Sequence, residues 1–252
     1  VLAAERRDHL LTRLRVDGKV VAKEVAAELG LSEDSIRRDL RELAAAGLCQ
    51  KVYGGAVPAS PATADYAARR EVAPASKRAV GALAAALIRP RSVAILDGGT
   101  TTLAVARVLP PDLECTVITH SPTVAVELLG HPGIEVILIG GRLFKHSAVT
   151  CGSAAIEAAA RISADVFLLG VTGVHPTHGL TTGDVDEAAM KRALAGRAAD
   201  TYVLASSEKL GAASSYEVVP LNQVAGVVTD GQPHEAIDEL RAAGVTVLDG
   251  QR

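Results

Sequence analysis

After residue 77 the chain repeats one pattern, a short and almost uninterrupted apolar run followed by a stretch with helical periodicity. The apolar runs fall at 93–96, 116–119, 136–139, 166–169, 202–205, 224–228 and 245–248, and the helical stretches include 77–88, 123–129, 186–198 and 234–243. A strand that is apolar throughout has no face to offer water, so both of its sides must be covered. Helices alternating with such strands achieve that in a mostly parallel sheet wound by right-handed crossovers. In open sheets of this kind the loops at the C-terminal strand ends form the binding crevice. Chemistry is therefore to be sought just after each apolar run.

The first sixty or so residues follow a different rule. Helical patterns at 6–14, 22–29 and 33–46 are joined by the tight turns Asp17-Gly18 and Gly30-Leu31, giving a compact trihelical unit. A β-like run at 48–52, the pair Gly54-Gly55 and a Pro-, Ala- and Ser-rich stretch at 58–61 come next, read as a two-stranded wing and the start of a linker. The expected division is a winged helix-turn-helix at 1–57, a linker at 58–74 and an α/β domain at 75–252. The front unit holds ten Lys/Arg against nine Asp/Glu, so any nucleic-acid footprint is local and not a matter of net charge.

The third helix is the informative one. Ser32 is placed to cap it, and Glu33 and Asp34 suit the positive end of its dipole, so the helix is expected to start at Glu33. At about 100° per residue, Ile36, Leu40 and Leu43 form an inward stripe while Arg37, Arg38 and Arg41 spread over the opposite face. Presented by a preceding helix across a short turn, such a helix enters a major groove, where Arg bonds guanine bidentately or pairs with phosphates. Asp34 and Ser35 would sit at its leading edge. The plainer reading is a solvated face on which Asp39 and Glu42 balance the arginines, and the helix taken alone favours it.

Downstream, the run from Ile95 to Leu103 is a strand ending in a glycine turn rich in hydroxyls that opens a helix. The amides of Asp97, Gly98 and Gly99, with the hydroxyls of Thr100, Thr101 and Thr102, suit a phosphate cradle. An ordinary strand-to-helix turn with a Thr cap fits the motif equally well. No Lys stands at Walker A spacing and no G-x-G-x-x-G occurs, which argues against nucleotide hydrolysis and dinucleotide binding. Thr119-His-Ser-Pro122 and Ile139-Gly-Gly-Arg142 end two further strands, and a Gly- and Thr-rich loop at 170–184 leads to Glu187 and Lys191. Those two are spaced i, i+4, so pairing with each other competes with ligand contact, just as Arg142 suits either a phosphate or the surface. His175 and His178 lack an evident third ligand and flank Pro176, so a loop is favoured over a metal site, and no metal or cofactor is expected.

Glu24-Val-Ala26, Leu29-Gly-Leu-Ser32, Ile36-Arg-Arg-Asp-Leu40 and Tyr53-Gly-Gly-Ala56, in that order and spacing, resemble the helix-turn-helix of the DeoR family of bacterial regulators. Ser35 stands where the family usually has Thr, and Val25 where it usually has Leu. The resemblance implies that Ser32 and the arginine face meet DNA, with Lys51 and Tyr53 of the wing along the phosphate backbone. The remainder, over about residues 75–249, is similar to the same family's effector domain, which is related in fold to ribose-phosphate isomerases and binds phosphorylated sugars. By that likeness Asp97, Gly98, Gly99, Thr100 and Thr101 hold the ligand, with Thr119, Gly140, Gly141, Glu187, Lys191 and Lys209 lining the pocket. The family usually shows an Asp and a Ser shortly before the last position, where this chain reads Ser206-Ser-Glu-Lys209, a loss and a gain of carboxylates expected to re-tune contacts with sugar hydroxyls.

Three scattered cysteines without metal or redox spacing fit a reducing compartment, and no apolar stretch approaches the ~20 residues of a membrane span. The expectation is a cytoplasmic, non-enzymatic repressor of a sugar or carbohydrate catabolic operon. It would bind a double-stranded DNA operator as a homodimer or homotetramer and respond to a phosphorylated small molecule. The alternative is a sugar-phosphate aldose-ketose isomerase with an accessory DNA-binding unit, using Glu187 or Asp97 to move a proton.

Overall fold

The computed structural model describes residues 2–250, so the outer limits of the two expected domains, Val1 and Gln251 with Arg252, lie outside the described residues. The front unit consists of α1 (Ala3–Val16), β1 (Val20–Val21), α2 (Ala22–Leu29), α3 (Glu33–Ala45), β2 (Cys49–Val52) and β3 (Gly55–Pro58). The helices converge because Leu10 and Leu14 of α1, Val25 of α2, and Ile36, Leu40 and Leu43 of α3 share one buried cluster. Ser32 caps α3 as expected, its Oγ accepting from the Ser35 amide at 3.3 Å. The wing has three strands in the order β1-β3-β2, one more than the sequence suggested. The extra pairing is possible because residue 55 is glycine: a Cβ there would lie 1.8 Å from the Val20 carbonyl oxygen.

The stretch expected to be a linker is folded. Ser60 caps a 3-10 turn at Pro61–Thr63, and Asp65 caps α4 (Tyr66–Arg69) by accepting from the Ala68 amide at 2.9 Å. The segment is fixed to the α/β domain by an Ala59–Ala213 bridge and by bonds from the Tyr66 amide to the His146 carbonyl and between the His146 ring and the Thr63 carbonyl. Composition suggested an open connector, but these capped turns give the backbone its own partners.

The α/β domain then runs α5 (Pro74–Ala85), β4 (Val93–Leu96), α6 (Thr100–Ala106), β5 (Cys115–Thr119), α7 (Pro122–Glu127), β6 (Ile134–Leu138), β7 (Arg142–Phe144), β8 (Val149–Cys151), α8 (Ser153–Ala159), β9 (Ala164–Gly170), β10 (Gly173–His175), β11 (Gly179–Thr182), α9 (Val185–Ala195), β12 (Ala198–Ala205), β13 (Tyr216–Glu217), β14 (Gly226–Thr229), α10 (Glu235–Ala242) and β15 (Val247–Leu248). Seven of these strands form the parallel sheet, one for each apolar run in the sequence, ordered β15-β14-β12-β9-β4-β5-β6. One face packs on α5, α6 and α7 through Val80, Val105 and Val124, and the other on α8, α9 and α10 through Ala155, Met190, Leu194 and Leu240. The stretch at 170–184, expected to be a loop, is mostly the hairpin β10–β11, which β13 extends to three strands.

Counted in chain order, the sheet runs outward in one direction from β4 and in the other from β9. The order therefore reverses between those two strands, and the connections leaving their C-terminal ends lead to helices on opposite faces, α6 and α9, which leaves a crevice between them.

Candidate functional site

The crevice is lined by chemistry from several separate parts of the chain. After β4 come Gly98, Gly99, Thr100, Thr101 and Thr102; after β9 come Gly170, Val171 and Thr172; after β12 come Glu208 and Lys209. Glu187 and Lys191 reach in from α9, and Arg69 of α4 and Lys77 of α5 close the remaining side together with Ser147 and Thr182. Among the described residues four cations and two carboxylates line the crevice, one of the cations, Lys191, being paired with Asp97 below. Gly99 has φ +114°, a backbone state that L side chains rarely adopt, and so lets the chain turn sharply from β4 into α6.

Below the crevice lies a buried charge cluster centred on Asp97, which is fully enclosed. Its Oδ2 accepts from Lys191 Nζ at 2.6 Å and the Gly170 amide at 2.8 Å; its Oδ1 faces His120 Nε2 at 2.6 Å and accepts from the Gly98 amide at 2.8 Å. Burial works to raise the carboxyl's pKa, but the Lys191 charge and the His120 contact outweigh it and hold Asp97 well below the usual carboxylate range. Burial likewise opposes the charge on Lys191, yet Asp97 and Glu187 together raise its pKa. Asp97 therefore ties β4 to β9 across the crevice and lies beneath the surface a ligand would touch. The His120 ring is held from its other side, Nδ1 lying 2.8 Å from the Thr150 carbonyl.

The crevice cations are less well matched. Lys209 Nζ donates to Thr101 Oγ1 at 2.8 Å and the Leu204 carbonyl at 3.1 Å, and burial pushes its pKa down to about 8, with Glu208 opposing. Burial also lowers Arg69 and Lys77. Eight buried side-chain nitrogen or oxygen atoms among the described residues lack a hydrogen-bond partner, and four of them belong to residues that line this crevice: Arg69 Nε and Nη2, Thr182 Oγ1 and Glu208 Oε2. Buried polar groups are ordinarily satisfied, so such a concentration marks a surface shaped for something else to complete.

Several residues expected at the pocket are placed elsewhere. Thr119 is fully buried and spends its hydroxyl on the Ser121 amide, while Gly140, Gly141 and Arg142 lie exposed at the end of β6 and the start of β7. Arg142 pairs with Asp186 at 2.6 Å. The reason is topological: β5 and β6 lie one and two strands beyond β4, on the side away from the crevice. Lys191 is 3.9 Å from Glu187 but 2.6 Å from Asp97, so the i, i+4 pair is the lesser of its two attachments, and Glu187 also accepts from Ser147 at 2.9 Å. Arg69, Lys77, His120, Ser147 and Thr182 were not among the expected site residues, and Glu208 was singled out only as a departure from the family's pattern next to Lys209. Asp65, an N-cap signal four residues before Arg69, is the one local clue to α4.

On the front unit, Ser32, Asp34, Arg37, Arg38, Arg41, Lys51 and Tyr53 are exposed and Ser35 half-buried. Asp34, Arg37, Arg41, Lys51 and Tyr53 line one groove between α3 and the wing, with Arg38, Ser32 and Ser35 outside it. The balancing role considered for Asp39 and Glu42 is corrected. Asp39 is 2% exposed and takes a bidentate contact from Arg6, while Arg7 of α1 pairs with Glu42. Those acids anchor α3 to α1, leaving Arg37 paired with Glu33 at 2.6 Å and, among the described residues, Arg38 and Arg41 with no ion pair. A half-exposed helix-turn-helix face with outward arginines, joined to an α/β domain with a cationic crevice, is the build of a ligand-responsive DNA-binding regulator.

The chain belongs to the DeoR family. Residues 6–62 match the DeoR-like helix-turn-helix domain and residues 73–231 the DeoR C terminal sensor domain. It is 34% identical to the HTH-type transcriptional regulator GlpR of Haloferax volcanii over 99% of both chains. The putative aga operon transcriptional repressor of Escherichia coli O157:H7 is 31% identical, over 97% of this chain and 93% of its own. The HTH-type transcriptional repressor GlcR of Bacillus subtilis is 33% identical over 97% and 95%. All three are named as regulators, which supports a regulator over the isomerase alternative. Ribose 5-phosphate isomerase A of Methanocaldococcus jannaschii superposes with a TM-score of 0.39 at 17% identity, over 53% of this chain and 52% of that one, a likeness too slight to bear on chemistry. No helix among the described residues is long and apolar enough to cross a membrane.

Proposed function

We propose that this protein represses a sugar or carbohydrate catabolic operon in the cytoplasm, binding its operator as a homodimer or homotetramer and responding to a phosphorylated sugar held in the crevice. The observation that carries the reading is the crevice itself, where Arg69, Lys77, Lys191 and Lys209 surround a glycine- and threonine-rich turn at the point where the strand order reverses. With Lys191 matched by Asp97 beneath it, Arg69, Lys77 and Lys209 face Glu187 and Glu208, an excess of positive charge that favours an anion, and the buried donors of Arg69 want two acceptor oxygens side by side, as a phosphate or carboxylate offers. Repressor names among the relatives support the direction of control.

The connection between site and DNA is short. Strand β3 of the wing ends at Pro58, and the same segment, pinned on the α/β domain at Ala59, delivers Arg69 to the crevice eleven residues later. A ligand that engages Arg69 acts on the strap that leaves the wing, and so biases how paired recognition helices are spaced. The test is a gel shift on the DNA upstream of the protein's own operon with a panel of sugar phosphates and their unphosphorylated parents. A discrete complex, altered by at least one phosphorylated member and by none of the parents, is expected; failure to form any complex at low salt would sink the proposal.

A further inference from the structure

We infer that Glu208 selects the ligand of this crevice, its Oε2 accepting a hydrogen bond from a hydroxyl of a phosphorylated polyol or sugar; this rests on the anion-binding reading above. Glu208 follows β12, and its side chain is 7% exposed. One carboxylate oxygen has partners: Oε1 accepts from Ser206 Oγ at 2.8 Å and lies 3.7 Å from Lys77 Nζ. The other, Oε2, is buried without a partner in a residue that lines the crevice. The nearby Lys209 ammonium is already directed to Thr101 and the Leu204 carbonyl.

An ionised carboxylate only accepts, so the missing partner must be a donor. The complementary demand comes from Arg69, whose Nε and Nη2 form a side-on pair of donors that calls for two adjacent acceptor oxygens. Thr182 Oγ1, also unpartnered on the same lining, takes either role. One molecule meets all three demands if it carries an anionic group at one end and a hydroxyl within reach of it. Inorganic phosphate offers Arg69 its oxygens but brings no carbon-borne hydroxyl, and phosphoenolpyruvate, an enol phosphate with a carboxylate and no hydroxyl, sets more acceptors against Glu208.

Titration calorimetry on the full-length protein tests this with glycerol 3-phosphate, ribose 5-phosphate, glucose 6-phosphate, phosphoenolpyruvate and inorganic phosphate as probes. At least one hydroxylated ester is expected to bind about tenfold or more tightly than inorganic phosphate and phosphoenolpyruvate. Glu208→Gln removes the charge and Glu208→Asp withdraws the oxygen while keeping the charge beside Lys77. Both should weaken that ester by about tenfold or more, with inorganic phosphate unchanged or tighter. Thermal melts confirm that each variant is folded. A common factor of loss for ester and phosphate would overturn the inference and leave the anion site standing, as would phosphoenolpyruvate binding as tightly as the best ester. Binding of none of the probes would remove the anion site and the inference with it.

Discussion

Replacing Lys191 with Met keeps the length of the side chain and removes the charge that faces Asp97. The two side chains are 4% and 0% exposed, so water cannot take the place of the ammonium. Asp97 would keep the Gly98 and Gly170 amides and the His120 ring but lose its closest full charge. Breaking a buried pair from one side costs ~3–5 kcal/mol, which in a domain of this size lowers the melting temperature by about 6–20 °C. The pH dependence has a definite sign. In the wild type the Asp97 pKa is depressed, so its contribution is complete above the unfolded value of about 3.9 and is lost as pH falls below it. In the variant, burial acts without the ammonium and raises the pKa, so protonation relieves the buried charge. The stability gap between the two proteins should narrow between pH 7.5 and 5. Urea denaturation followed by circular dichroism at both pH values measures it. A loss under about 1 kcal/mol at pH 7.5, or a gap that stays constant on acidification, would refute the reasoning.

Other outcomes follow from the same geometry. Because burial brings Lys209 to about 8, calorimetric affinity for a bound sugar phosphate should weaken from pH 7 to 9, and Lys209→Met should flatten that dependence. With no ligand, stability should rise across the same range and onward to about 10.4, since the unfolded chain there keeps a proton that the folded chain has released. Lys51, exposed on the wing beside the α3 groove, is expected to contact a phosphate. Lys51→Ala should weaken operator and random DNA alike and reduce the slope of log affinity against log salt by about 1, read by fluorescence anisotropy.

The parallel sheet was legible because each of its strands is apolar on both faces, a demand that local sequence states openly. The start of α3 was legible for a similar reason, since Ser32, Glu33 and Asp34 meet the needs of a helix end within a single turn. The crevice was harder to read. Asp97 through Thr102 stand in one run, but their neighbours Arg69, Lys77 and Glu208 arrive from separate elements, and only the reversal of strand order decides which strand ends share a crevice. That reversal is also why Thr119, Gly140 and Gly141, equally placed at strand ends, stay outside it. Arg69 was hidden further by composition, because a Pro- and Ala-rich stretch looks like a linker until its two caps are noticed. Arg6, which holds Asp39, lies 33 residues away on α1, beyond any periodicity argument.

The central claim is that the arginine face of α3 reads the operator and that the crevice is a separate site. The direct measurement is the ratio of affinities for operator and scrambled duplex at fixed salt, for the wild type and for the combined Arg37→Ala, Arg38→Ala and Arg41→Ala variant, with sugar-phosphate affinity measured on both. The account predicts that the ratio collapses toward one in the variant while ligand affinity stays unchanged. A variant that keeps its preference for the operator would contradict it.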